Sequence, residues 1–429
     1  MTGVPYPYGR ALGLVLVLSS GCANITPPPV VVSPPPAVAA APAPTATPVQ
    51  PRTVADEFIT TFWCGPPLQF FDDTRAREIA DAGFNVIGAT CEGQVNPLLN
   101  QRALRIAERH GLRMIIKDNR VSASLPLADG WQQKASNAIA AYRGQRGLAG
   151  FFLLDEPSDA SIYPDISALR RRIEREAPGV IGYVNLLPDY VFRGPDDYRD
   201  YVEGYLFRTH PELLSYDHYP FLTDSDRPSF FENLSVIRAL ALDYDVPFLL
   251  IVQLMPHADY RDVTWPELAW QAFHAVAFGA RGISYFAYWT PTQVPDNLAY
   301  RFRKGIIEGG LRTEHYDHVA RLNPQIRAVA EALSDFRSVA VWDSLGQFGG
   351  GSRPPLIARV ESGAVSAGSF LHADGRTAVL AVNRDYRQLA TFSVRDGAPA
   401  VQVFDPETLS WADVTGAVDL PPGEGRLLR

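Results

Sequence analysis

A chain of 429 residues with 46% apolar and 20% charged side chains is long enough for one large folded domain and a small one. Its formal charge is −8, with 39 Lys and Arg against 47 Asp and Glu and no basic run, which argues against a groove that tracks nucleic-acid phosphates. An acidic chain with 11% aromatic residues suits a neutral substrate better.

The N-terminus carries Arg10, the apolar run 11–18, and then Ser19-Ser20-Gly21-Cys22. The run is too short to span a bilayer, so residues 1–22 read as a signal peptide. The small residues before Cys22 resemble a bacterial lipobox, in which the cysteine becomes the lipidated first residue of the mature protein. The usual Leu three places before the cysteine is Ser19 here, with Leu18 one place further out. Ala23 resembles the outer-membrane sorting pattern. Residues 23–52 are Pro, Ala, Val and Thr with almost no charge; they cannot pack a core and read as an extended, semi-rigid tether. The expectation is a protein of the bacterial cell envelope, attached to the membrane through an N-terminal lipid anchor and facing the periplasm or cell surface.

Beyond the tether, short apolar runs alternate with amphipathic stretches. The order is strand 58–63, helix 74–82, strand 85–90, helix 97–110, strand 112–117, helix 132–143 and strand 149–154. It continues with helix 166–176, strand 180–186, helix 198–207, strand 213–216, helix 230–243, strand 247–253, helix 266–278 and strand 282–288. A helix within 297–322 completes the set. Eight such units predict a (β/α)8 TIM barrel, an α/β fold, over 53–337. After about Arg337 the runs are short and β-rich (TAVLAVNRD, APAVQVFDP), and 338–429 is expected to form a C-terminal antiparallel β-sandwich. Cys64 and Cys91 follow the first two strands, which are neighbours in a barrel. In an oxidising compartment they are a candidate disulfide, the alternative being two buried thiols. No Cys or His cluster has metal-ligand spacing, and no cofactor is implied.

Barrel active sites lie at the C-terminal ends of the strands. Those positions hold Trp63, Glu92, Asp118, Asp155-Glu156-Pro157, Asn185, Asp217-His218-Tyr219, Gln253 and Tyr288-Trp289. The strongest element is GFFLLDEP, an apolar strand ending in two carboxylates. Burial there is costly without a purpose or partner, and adjacent carboxyls resist double ionisation, so one can hold a proton near neutral pH. Glu156 is the candidate general acid, with Asp155 and Asp217 as its catalytic partners. Trp63, Asp118, Asn185, His218, Tyr219, Gln253, Tyr288 and Trp289 are candidate substrate contacts, the aromatics as stacking platforms for a sugar ring.

The order GFFLLDEP, SYDHYPF, PFLLIVQLMP and WPELAWQAFHAVAFGARGISYFAYWTP resembles the retaining glycoside hydrolases of clan A, particularly family 42 type β-galactosidases. The resemblance covers about 58–289 and implies a glutamate acid/base at the end of strand four, matched by Glu156. Two positions depart from it: the clan's Asn before that Glu is Asp155, and its strand-seven nucleophilic Glu is Gln253. The Asp-Glu-Pro run is similar to that of family 123 hexosaminidases, which implies a substrate acetamido group as nucleophile, oriented by Asp155. A third scheme uses Asp217 as base or nucleophile. The expected activity is hydrolysis of O-glycosidic bonds in an envelope or environmental polysaccharide or oligosaccharide. The rival from another class is a carbohydrate-binding lipoprotein whose barrel has lost catalysis.

Overall fold

The computed structural model describes residues 53–124, 126–292, 301–397 and 400–429. Cys22, the expected signal peptide 1–22 and the expected tether up to residue 52 lie outside the described residues, as do 297–300 of the eighth helix window.

Eight parallel strands form the centre: β1 (Ile59–Phe62), β2 (Val86–Ile87), β3 (Arg113–Ile116), β4 (Leu148–Asp155), β5 (Ile181–Leu186), β6 (Leu214–His218), β7 (Phe248–Gln253) and β8 (Gly282–Phe286). They pair in the order β1-β8-β7-β6-β5-β4-β3-β2. The ring is completed where Asn85 N donates to Thr60 O at 3.1 Å and Gly65 N donates to Ala89 O at 3.0 Å. A Cβ at Gly88 would meet Phe62 O at 1.7 Å, so only glycine permits this approach of the first two units.

Alternation along the strands separates two apolar layers. Ile59, Ile115, Ile181, Leu249 and Ile251 pack inside the barrel, while Phe62, Met114, Ile116, Tyr216, Leu250 and Val252 pack outward in the core shared with the helices. Toward the C-terminal mouth the inward series becomes polar: Asn185 follows Ile181 and Tyr183, and Ser215 and Asp217 follow Leu213.

The covering helices are α1 (Asp73–Asp81), α2 (Pro97–Arg109), α3 (Trp131–Tyr142), α4 (Tyr163–Glu176), α5 (Pro195–Thr209), α6 (Phe230–Asp243), α7 (Trp265–Ala277) and α8 (Glu314–Ala332). The last departs from the sequence expectation. It begins at Glu314, capped by Thr313, and runs ten residues past Leu322 to Ala332, through Pro324. Before it, Gly309 and Gly310, both at positive φ, turn a short hairpin of β9 (Ile307–Glu308) and β10 (Leu311–Arg312). Apolar periodicity alone does not register that hairpin.

The C-terminal strands are β11 (Phe336–Asp343), β12 (Ile357–Ser362), β13 (Val365–His372), β14 (Thr377–Asn383), β15 (Ala390–Val394), β16 (Val401–Asp405), β17 (Ser410–Val414), β18 (Ala417–Leu420) and β19 (Gly425–Leu428). They form antiparallel sheets of order β11-β13-β14-β19-β16-β17 and β12-β15-β18. Val379, Ala381, Phe392, Val394, Leu420 and Leu428 fill the space between the sheets. Helix α7 explains how this sandwich is held. Its run WPELAWQAFHAVA is buried from Glu267 to Ala277. Trp270 Nε1 donates to Arg384 O at 2.9 Å, and a Cβ at Gly368 would meet Ala277 O at 1.9 Å. An all-round apolar helix therefore lies between two packed bodies.

Cys64 and Cys91 are joined as a disulfide with Cα atoms 4.7 Å apart, across 27 residues of sequence. Closing a loop of that length restricts the unfolded chain by about 3.5 kcal/mol. The Cys64→Ala, Cys91→Ala variant is therefore expected to lose about 2–4 kcal/mol in denaturant unfolding. Two titratable thiols in the unfolded, unreduced protein would overturn the pairing.

Candidate active site

The mouth of the barrel collects three carboxyls from two strand ends. Asp155 ends β4, and pairing with β5 is irregular between Phe152 and Leu154, which re-aims the final residues of the strand. Glu156 then adopts φ +44°, a left-handed conformation held by its N–H donating to Asn185 O at 2.9 Å. For a residue with a Cβ this costs about 1–2 kcal/mol. Its side chain comes within hydrogen-bond reach of the Asp217 carboxyl on β6.

Asn185 links the group from β5. Its Nδ2 donates to Asp217 Oδ1 at 2.9 Å and, at a long 3.4 Å, to Asp155 Oδ1. Its Oδ1 accepts from Ser215 Oγ at 3.2 Å, and Ser215 Oγ lies 2.8 Å from the Tyr183 hydroxyl.

Electrostatics follow from this packing. Asp155 and Glu156 keep part of their surface open to solvent, yet protein atoms ring both carboxyls; the ring governs the direction of each shift and the opening tempers it. Burial, then the charge of Glu156, pushes Asp155 up to about 7. Burial raises Glu156, with the hydrogen bond to Asp217 acting in the opposite sense. Asp217 is 3% exposed, and burial followed by the Glu156 charge raises it well above the usual carboxylate range. Two carboxyls in mutual hydrogen-bond contact share a proton between them, so the mouth holds an acid near neutral pH.

A protonation preference of this sign makes the native state bind more protons than the unfolded chain between about pH 4 and 7, so stability falls as pH rises through that window. Asp155→Asn is accordingly expected to be more stable than wild type at pH 8 by about 1 kcal/mol, once screening through the open cleft is allowed for, with the gap closing toward pH 4. Parallel unfolding curves at the two pH values would contradict this.

Aromatic rings line the mouth. Trp63 packs edge-on against Phe152 with centroids 5.5 Å apart and lies 6.1 Å from Tyr183. Tyr219 packs on Phe286 at 5.4 Å and on Tyr260 at 5.5 Å. Lys117 lies 4.8 Å from the Phe152 ring. Burial lowers its pKa and the Asp155 charge raises it.

Trp63, Asp155, Glu156, Asn185, Asp217 and Tyr219 are thus brought together. The other sequence candidates are engaged elsewhere. Asp118 is 7% exposed, paired with Arg120 at 2.7 Å and accepting from Tyr142 OH at 2.7 Å. His218 follows inward-facing Asp217 and therefore points to the opposite face, where Nε2 meets Asp189 at 3.3 Å. Gln253 is fully buried: Oε1 accepts from Phe221 N at 2.8 Å, and Nε2 donates to Phe221 O at 2.8 Å and Arg261 O at 3.1 Å. Tyr288 is fully buried against Phe62, and Trp289, 7% exposed, stacks on Phe70 and donates to Glu92 at 3.2 Å. At this strand end the mouth-facing ring is Phe286, on the same face as Ser284. Counting alternate residues also reaches Tyr183 from Asn185; Lys117 carried no comparable sequence signal because its role depends on Phe152 and Asp155.

No protein-family model matches the chain, and no curated protein matches it. Among solved structures it is similar to a family 42 β-galactosidase from G. stearothermophilus, at 10% identity and TM-score 0.59, over 88% of this chain and 99% of that one. A β-galactosidase from Bacillus circulans sp. alkalophilus gives 9% identity and TM-score 0.56, over 87% of this chain and all of that one (100%). For a β-galactosidase from the psychrophilic Marinomonas ef1, at 9% identity and TM-score 0.48, 64% of this chain spans only 60% of that one. The G. stearothermophilus and Bacillus circulans proteins are glycoside hydrolases, and at such identities the likeness is one of fold: the (β/α)8 barrel.

Proposed function

We propose that this chain is a glycoside hydrolase that cleaves O-glycosidic bonds of an envelope or environmental polysaccharide or oligosaccharide, with Glu156 as its general acid. The observation that carries the reading is the Glu156–Asp217 carboxyl pair at the C-terminal mouth of the barrel. Departure of a sugar leaving group needs a proton donor beside the glycosidic oxygen and a negative group facing the developing oxocarbenium charge. Glu156 is the member of the pair that reaches the open cleft, whereas Asp217 is buried behind it. Asp217 therefore acts through Glu156, as a positioning residue whose hydrogen bond holds the acid in place and moderates the upward push of burial on it.

The negative group in this reading is Asp155. Position 253 offers only a carboxamide bound to backbone, and Asp217 is engaged with Glu156. Asp155 thus faces the ring, either directly or by orienting a 2-acetamido group of the substrate that attacks the anomeric carbon. The neighbouring rings of Trp63, Phe152, Tyr183 and Tyr219 supply stacking surface for pyranose units.

The test is hydrolysis of a panel of aryl glycosides, with and without a 2-acetamido group, by the purified protein. Turnover that Glu156→Gln lowers strongly on the members with poor leaving groups, and less on activated ones, supports the proposal. Saturable sugar binding with no turnover on any member would instead favour the carbohydrate-binding lipoprotein.

Attachment to the envelope through a lipidated Cys22 is part of the same proposal, resting on the LSSGC run. Cys22→Ala is expected to move the protein from the membrane fraction to the soluble fraction. Unchanged fractionation would rule the anchor out.

A further inference from the structure

At the opposite end of the barrel from the carboxyls, a cleft of about 380 Å³ opens among the N-terminal ends of β7 and β8, the end of α6 and the first strand of the sandwich. Its wall is apolar where Phe248, Phe278, Leu333 and Phe370 line it. Three arginines, Arg238, Arg281 and Arg337, line the same space.

Among the described residues, no carboxylate lies within 4.0 Å of any of the three guanidinium groups. The two acids on the rim do not change this. Asp56 accepts from the Thr53 backbone N–H at the start of the described chain, and Asp245 is beyond ion-pair distance. Arg238 makes one side-chain hydrogen bond, Nη2 to Ser338 Oγ at 3.2 Å, while its Nε is buried with no partner. That bond ties α6 to β11 and brings Arg337, the residue before Ser338, to the same wall. A guanidinium partly withdrawn from water without a counter-charge is costly, and half-buried Arg238 and Arg281, with the more exposed Arg337 on the same cleft, offer guanidinium donors to an oxyanion there.

We infer that this cleft binds an anion of the phosphate class, held by Arg238, Arg281 and Arg337, with an apolar or ring-bearing substituent against the phenylalanine wall. The chemistry is shared by a soluble phosphate ester and by an anionic phospholipid headgroup.

Calorimetric titration of the full chain separates the two, using inorganic phosphate in one arm and dihexanoyl phosphatidylglycerol below its micelle concentration in the other. Saturable binding of phosphate alone assigns the site to soluble anions; tighter binding of the short-chain lipid assigns it to a headgroup with its acyl chains on the apolar wall. Both outcomes require that Arg238→Met weaken binding by about tenfold or more. Arg337→Ser, at an exposed position that leaves folding undisturbed, is expected to weaken it severalfold. Absence of saturable binding in both arms, or equal binding by wild type and both variants, overturns the inference.

Discussion

Glu156→Gln is expected to reduce turnover by about a hundredfold or more on substrates with poor leaving groups, and by much less on activated aryl glycosides. The amide keeps the shape of the side chain and its contact with Asp217 but carries no transferable proton. Protonation matters in proportion to the basicity of the departing oxygen, so the loss should grow with leaving-group pKa. The left-handed conformation at 156 is unchanged by the substitution, so stability should hardly move. Wild-type rates on both kinds of substrate would show that the acid is another group.

Asp155→Asn carries the second large effect and separates the mechanisms. If Asp155 orients a substrate acetamido group, its neutralisation should cost about a hundredfold or more on 2-acetamido glycosides regardless of leaving group, because the charge faces the ring and not the departing oxygen. Asp217→Asn should behave differently. An amide at 217 donates a weaker hydrogen bond to Glu156 than a protonated carboxyl does, so the contact that lowers Glu156 is relaxed, the glutamate should ionise at higher pH and the alkaline limb of the kcat profile should move up, with a smaller loss at the optimum. An Asp217→Asn variant that loses turnover on plain sugars without that displacement would instead make Asp217 the second catalytic carboxylate. Asp155 would then be the positioning residue.

Neither effect depends on the C-terminal sandwich directly, but α7 couples the two bodies. Its Gln271 Oε1 accepts from Gln253 N at 2.9 Å, at the end of β7, while Trp270 on the same helix reaches the sandwich. The sandwich thus helps fix the frame on which one side of the mouth is built.

The apolar strand 149–154 followed by two acids could be read as a barrel strand ending in a site, because its hydrophobicity and its charges are local properties of the chain. The same holds for the alternation of strands and helices, the change of period near 337, and the proximity of Cys64 and Cys91, which follow consecutive strands. What the chain alone left open were facts of side-chain direction and of partners distant in sequence. The Glu156–Asp217 contact spans two barrel units and requires the turn at 156. His218 points away from the mouth because it alternates with Asp217, Gln253 is held by the backbone of Phe221 and Arg261, and Asp118 is bound by Tyr142, 24 residues away, as well as by neighbouring Arg120. The sequence by itself determined the barrel, the sandwich and the strand ends that could carry chemistry, since each follows from periodicity and composition over short stretches. Tertiary structure alone decided which of those polar residues converge, because burial, proton sharing and the choice of face are set by packing between elements and not within them.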